Sequence, residues 1–186
     1  MSMKFARRTV FPLVASMFAV STTARRSEAA SAAEIDSDVN ITLNRLFREV
    51  RGSQDLANRA YGILAFPSIV KAGIWVGGEY GEGALRINKK TAGYYNSISA
   101  SFGFQLGVQT RSVVIMFMTA DSLASFRRAR GWKVGVDGSV AIVTIGAGGS
   151  VDTSQIRQPV IGFILDERGL MFNLTLEGSK ISRIRR

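Results

Sequence analysis

From Ile74 to Thr119 the chain reads IWVGGEYGEGALRINKKTAGYYNSISASFGFQLGVQTRSVVIMFMT. Apolar and β-branched residues recur here at a period near two, in short runs bounded by glycine or polar pairs, which is the pattern of strands and not of helices. The expected strands are Ile74 to Tyr80, Ala84 to Asn88, Ala92 to Ser99, Phe102 to Gln109 and Ser112 to Thr119, with Lys89-Lys90 at a hairpin tip. Downstream, Thr119 or Asp121 caps a short helix through Arg128. Strand character then resumes at Trp132 to Val136, Ser139 to Ile145, Val160 to Leu165, Leu170 to Leu176 and Lys180 to Ile184, with a loop over Gly146 to Asp152. So many sequential short strands predict an antiparallel, strongly curved or barrel-like sheet, a form that limits exposed strand edges.

Upstream the period changes to that of helices. Val39, Leu43, Leu46, Phe47 and Val50 fall on one face, and Asp36, Ser37 or Asp38 is available as a cap. Gly52 ends this helix, Ser53 caps a second, and Leu56, Ala60, Ile63 and Leu64 form its apolar stripe before Phe66-Pro67. The fold class is therefore α+β: a mainly antiparallel curved sheet with N-terminal helices packed on it.

Further upstream, Met1 to Arg8 is short and basic, Thr9 to Val20 is apolar, and Ser21 to Ala32 is rich in small residues. That order is the pattern of an export signal. Ala30-Ser31-Ala32 and Thr22-Thr23-Ala24 both offer cleavage sites, so the mature start is expected between Arg25 and Ala33. We divide the chain into a signal peptide, 1–32, and a single domain, 33–186, exported to the periplasm or cell envelope. The apolar run is shorter than the ~20 residues that span a bilayer core. Arg7-Arg8 is compatible with a twin-arginine route. A mitochondrial transit peptide is the competing reading of an Arg-, Ser- and Thr-rich leader, but the uninterrupted apolar stretch suits an export signal better.

Composition narrows the chemistry. The 186 residues include no cysteine and no histidine, which removes thiol nucleophiles, disulfides, the commonest zinc ligands, a diacylglyceryl anchor and the usual neutral-pH general base. We expect no metal and no cofactor. Formal charge is +10, and outside the leader 19 basic residues still face 13 acidic ones. That excess favours anionic partners.

The glycine-rich run Phe66 to Arg86 lacks the Gly-Lys-Ser/Thr ending of a phosphate loop, and strand signals flank it on both sides, so its glycines are read as bends and close strand approaches. Glu79 and Glu82 are the one carboxylate pair to weigh for acid/base work; the plainer reading pairs them with Lys71 or Arg86, or with backbone amides of the glycine turns. Ser97, Ser99 and Ser101 have no histidine to activate them, and a dyad with Lys71 has no spacing argument behind it. No catalytic residue is assigned.

The cations are more telling. Arg127, Arg128, Arg130 and Lys133 cluster beside Trp132, and Lys71, Arg86, Lys89, Lys90 and a basic tail of Lys180, Arg183, Arg185 and Arg186 add to them. We take Lys71, Arg86, Lys89, Lys90, Arg127, Arg128, Arg130, Lys133 and Lys180 as candidate headgroup-binding residues, and Trp75 and Trp132 as membrane-contacting aromatics. No RNP-type motif or zinc finger supports a nucleic-acid partner.

Three blocks carry a family resemblance: Ile63-Leu-Ala-Phe-Pro-Ser-Ile-Val-Lys-Ala-Gly73, Val76-Gly-Gly-Glu-Tyr-Gly-Glu-Gly-Ala84, and Gly93-Tyr-Tyr-Asn-Ser-Ile-Ser-Ala-Ser-Phe-Gly-Phe-Gln-Leu-Gly-Val-Gln109. Phe117-Met-Thr, Gly131-Trp-Lys-Val-Gly135, Gly169-Leu-Met171 and Leu176-Glu-Gly-Ser-Lys-Ile181 follow in order. Together these resemble the SYLF domain family, found in bacterial exported proteins and, joined to SH3 or FYVE modules, in eukaryotes. The resemblance implies binding of phospholipids or phosphoinositides, with actin association in some eukaryotic members, and it carries over Lys71 and Lys180 as the basic residues of the first and last blocks. The expected function is non-enzymatic, peripheral attachment to anionic phospholipid membranes. The alternative is an envelope structural or protein-interaction module with a protein partner.

Overall fold

The computed structural model describes residues 30–73, 76–102, 108–143, 157–166, 169–170, 176 and 178–186. Nearly all of the leader, Trp75, the loop expected at Gly146 to Asp152 and most of the strand expected at Leu170 to Leu176 lie outside these residues.

Helix α1 runs Ala32–Glu49 and buries Ile35, Val39, Thr42 and Leu46. Its cap is Ser31, not the expected Asp36 to Asp38. The Ser31 hydroxyl accepts from the Glu34 amide at 3.2 Å, and the Glu34 carboxylate accepts from the Ser31 amide at 2.7 Å. This reciprocal box satisfies two amide donors that a helix start leaves unpaired. Helix α2, Ser53–Arg59, starts from Gly52 in the left-handed region at φ 84°, while the Ser53 hydroxyl turns back to donate to the Val50 carbonyl at 2.7 Å. Ser53 therefore closes the corner between the helices and is not the cap expected of it.

The second helix ends earlier than expected. Ile63 and Leu64 belong to strand β1, Gly62–Gly73, in the middle of the sheet. Four apolar residues in a row suit a helix or a strand buried on both faces, and the second form won here. Leu64 and Phe66 enter one core and Ala65 the other. Pro67 sits in a central strand because the register slips around it, between Ala65 and Ser68 against β2 and between Phe66 and Ile69 against β4.

Strands β2 (Val76–Ile87), β3 (Lys90–Phe102) and β4 (Val108–Phe117) are longer than the alternation predicts; β2 joins two expected runs, Ile74 to Tyr80 and Ala84 to Asn88, and most of the run expected at Phe102 to Gln109 lies outside the described residues. Gly81 and Gly83 lie inside β2. A Cβ at Gly83 would come within 2.0 Å of the Ala65 carbonyl oxygen, and one at Gly81 within 2.6 Å of that of Ser68, so glycine is what lets β2 lie against the bulge of β1. The β2–β3 turn places Asn88 and Lys89 at φ 50° and 63°, the two positive values of a two-residue hairpin turn, and Lys89 is at its tip as expected.

Thr119 caps helix α3, Ala120–Arg128. Strands β5 (Trp132–Lys133), β6 (Ala141–Ile142), β7 (Val160–Asp166), β8 (Gly169–Leu170) and β9 (Lys180–Ile184) complete the sheet. Its order is β5-β9-β3-β2-β1-β4-β7-β6, with β8 on β7, and every strand pair is antiparallel except β6–β7. The sheet curls strongly into a half-barrel with the N-terminal helices packed on it, as the alternation predicts.

Both faces are buried over much of the sheet. On one, α1 and α2 cover Ala65, Ala84, Val114, Met116, Ile161 and Phe163. On the other, α3 adds Leu123 and Phe126 to Leu64, Phe66, Leu85, Val113, Ile115 and Phe117. Each fully buried phenylalanine contributes roughly 2–3 kcal/mol by removal from water.

Candidate functional site

Trp132 does not contact a surface. It is 2% exposed and stacks edge-on to Phe126 at 5.6 Å and Phe117 at 6.3 Å, so the expectation of a membrane-contacting Trp132 is corrected. In the sequence it neighbours the basic cluster, but strand alternation sends its ring inward while Lys133 points out.

Two of the expected headgroup residues are committed to carboxylates. Arg86 reaches Asp36 Oδ1 at 3.3 Å, Asn40 Oδ1 at 3.0 Å and the Asp36 carbonyl at 3.1 Å, and also donates to Thr91. Thr91 and Tyr94 both donate to Asp36, at 2.8 and 3.0 Å. Burial, then the Asp36 carboxylate, pushes the Tyr94 phenol above its ordinary value. This network ties α1 to the β2–β3 hairpin and is a structural role. Lys71 lies 3.9 Å from the buried Glu79, which also takes Arg111 at 2.5 Å.

Glu79 and Glu82 stand on opposite faces of β2, because three positions along a strand reverse the side chain. Glu79 pairs with Arg111, whereas Glu82 pairs with Arg186 and accepts from the Tyr80 hydroxyl at 2.5 Å. A shared cleft for the two carboxylates does not exist, which dismisses the acid/base pair. Lys71 and Ser99 are separated by the intervening Glu79, since Glu79 is in register with both.

The remaining cations fall mainly on one edge. Arg127 and Arg128 end α3, and Arg130 follows. Lys133 on β5 is directly opposite Lys180 on β9, and Arg183 and Arg185 continue along the C-terminal strand and tail. Burial pushes the Tyr95 phenol up, while the positive charges of Arg183 and Arg127 both pull it down. Arg127, Arg128, Arg130, Lys133, Lys180, Arg183 and Arg185 are exposed, and none pairs with a carboxylate among the described residues. Thr91 to Tyr94 and Arg183 to Arg186 line an open groove of 780 Å³ at this end. Lys89 and Lys90 stand at the hairpin tip, at the same end of the sheet as the C-terminus, since Tyr94 pairs with Ile184.

In the sequence Arg183 and Arg185 belong to a basic tail outside the candidate headgroup-binding residues. Nothing local tells that the last strand pairs between β3 and β5. A second open groove, of 580 Å³, lies between α1, α2 and the hairpin and includes Arg86 and Lys89. Among the described residues no three acidic groups gather as a metal site, and no helix is long and apolar enough to cross a membrane.

Residues 98–185 match the family model Ysc84, described as Las17-binding protein actin regulator. This bears out the SYLF resemblance over that span. No curated protein matches the chain.

Proposed function

We propose that this chain, whose residues 98–185 carry the Ysc84 (SYLF) domain signature, is an exported, non-enzymatic protein that attaches peripherally to anionic phospholipid surfaces. The observation that carries the reading is the edge formed by the end of α3, β5 and β9, where seven exposed cations have no carboxylate partner among the described residues. Near an anionic bilayer each basic residue contributes about 1 kcal/mol, so four to six of them give a reversible attachment of about 4–6 kcal/mol that added salt weakens. The leader pattern supports export.

A second reading takes an acidic protein filament as the partner, and the family description as an actin regulator favours it. The two separate by co-sedimentation of the full chain and of its Arg127→Glu/Arg128→Glu/Arg130→Glu variant. Pelleting with phosphatidylglycerol vesicles that falls with the charge reversal and with high salt supports membrane attachment. Equal pelleting with phosphatidylcholine vesicles, or binding that survives the reversal, overturns it; pelleting with actin filaments alone supports the second reading.

A further inference from the structure

Among the described residues, no helix covers the other end of the sheet face that carries α1 and α2. In one row across six strands lie Thr110, Val70, Tyr80, Ile98, Lys180 and Lys133, each in register with the next. Directly opposed residues of antiparallel strands project from the same face, so these six side chains share one surface. Val70, Tyr80 and Ile98 are 39%, 47% and 48% exposed, whereas the other large apolar strand residues whose side chains are described are buried or half-buried. At about 4.8 Å per strand the row is about 24 Å long. Its centre is apolar and one end is two lysines.

We propose that this row is the face that enters the membrane: Val70, Tyr80 and Ile98 insert at headgroup depth, while Lys180 and Lys133 reach out along their apolar stems to lipid phosphates. The inference rests on the membrane reading above and adds the orientation. Three features select a bilayer over another protein. The charge of the row is of one sign. Glu82, the carboxylate two positions from Tyr80 on this face, is already neutralised by Arg186. The tyrosine hydroxyl also has a partner in Glu82, so its ring can leave water without stranding a polar group. Lysines at the margin of an apolar patch are the arrangement in which long cationic side chains cover the boundary between hydrocarbon and headgroup. The basic edge described above adjoins the lysine end, with Arg127, Arg128 and Arg183 on the opposite, α3 side of the sheet.

The absence of cysteine makes the test direct. In the full chain, Ile98→Cys carries an environment-sensitive fluorophore, and Ala120→Cys at the start of α3, exposed and on the opposite side of the sheet, carries the same label. With vesicles of phosphatidylglycerol and phosphatidylcholine, the label at 98 is expected to shift to the blue and to be quenched at least twofold by lipids spin-labelled near the headgroup. The label at 120 stays unchanged. Pelleting with these vesicles without any change at 98 overturns the assigned face and leaves membrane attachment standing. Failure to pellet with anionic vesicles overturns both. A blue shift at 98 that appears on raising protein concentration without vesicles makes the row a contact between copies and overturns the proposal. Matching melting temperatures of both labelled chains and the unlabelled chain exclude misfolding as the cause.

Discussion

Lys133 and Lys180 sit directly opposite each other across the β5–β9 ladder, two like charges in a position where opposite charges stabilise. A fold selected for stability alone has no use for that pairing, whereas an anionic surface against it relieves the repulsion. Lys180→Glu is therefore expected to raise stability by about 0.5 kcal/mol, read by urea denaturation, and at the same time to weaken pelleting with anionic vesicles severalfold. A variant that loses stability, or keeps its vesicle binding, contradicts the role given to this pair.

Arg86 makes the opposite case. Its guanidinium holds Asp36 and Asn40 of α1 and Thr91 of β3, and the side chain is mostly buried. Arg86→Met is expected to cost about 2 kcal/mol of stability by leaving Asp36 and its neighbours unmatched. Vesicle binding per folded molecule is expected to stay within twofold of the parent. A selective loss of binding with unchanged denaturation would return Arg86 to the headgroup contacts.

The capping box at Ser31 and Glu34 bears on where a leader can be removed. Ser31→Ala is expected to destabilise the domain by about 1 kcal/mol, and a chain starting at residue 33 to lose at least as much relative to one starting at residue 25, because it lacks the cap entirely. Thermal melts of the two truncations decide this. Equal melting temperatures would show that the box contributes nothing.

Acidification tests the same box by a separate readout. The backbone and side chain of Ser31 hold the Glu34 carboxyl below its ordinary value of 4.5. A carboxyl depressed in the folded state adds stability above its unfolded value, and that contribution disappears as pH falls through the lower folded one. The Glu34 side-chain carbon resonance is therefore expected to titrate below 4.5, and in Ser31→Ala its midpoint is expected to move up.

Gly83 is the most constrained position in the glycine-rich run. Gly83→Ala would drive a methyl group into the Ala65 carbonyl and the Phe66 ring, with backbone on one side and a packed core on the other. The expected cost is about 3 kcal/mol or failure to accumulate folded protein, measured by denaturation or soluble yield. Gly78→Ala, whose added Cβ meets, among the described residues, only the Ser99 carbonyl at 3.8 Å, is the control and is expected to stay within about 0.5 kcal/mol of the parent.

Local patterning was enough for some of this. Alternation from Ile74 onward signalled a curved antiparallel sheet, the 3.6-residue spacing of Val39, Leu46 and Val50 signalled α1, and the missing histidine and cysteine removed most catalytic chemistry, because each of these depends only on near neighbours or on composition. Three things waited for the tertiary structure. Ile63 and Leu64 became strand because two cores compete for one apolar run. Trp132 turned inward because its partner Ile181 lies nearly fifty residues away, at the far end of the chain. Lys133, Lys180, Val70, Tyr80 and Ile98 came to share one surface because strand register, set by the bulge at Pro67 and the hairpin at Asn88-Lys89, aligns residues that no window of sequence contains together. Sequence by itself determined which kinds of element form and which reactions lack their side chains; long-range pairing alone decided which side chains meet water on the same face.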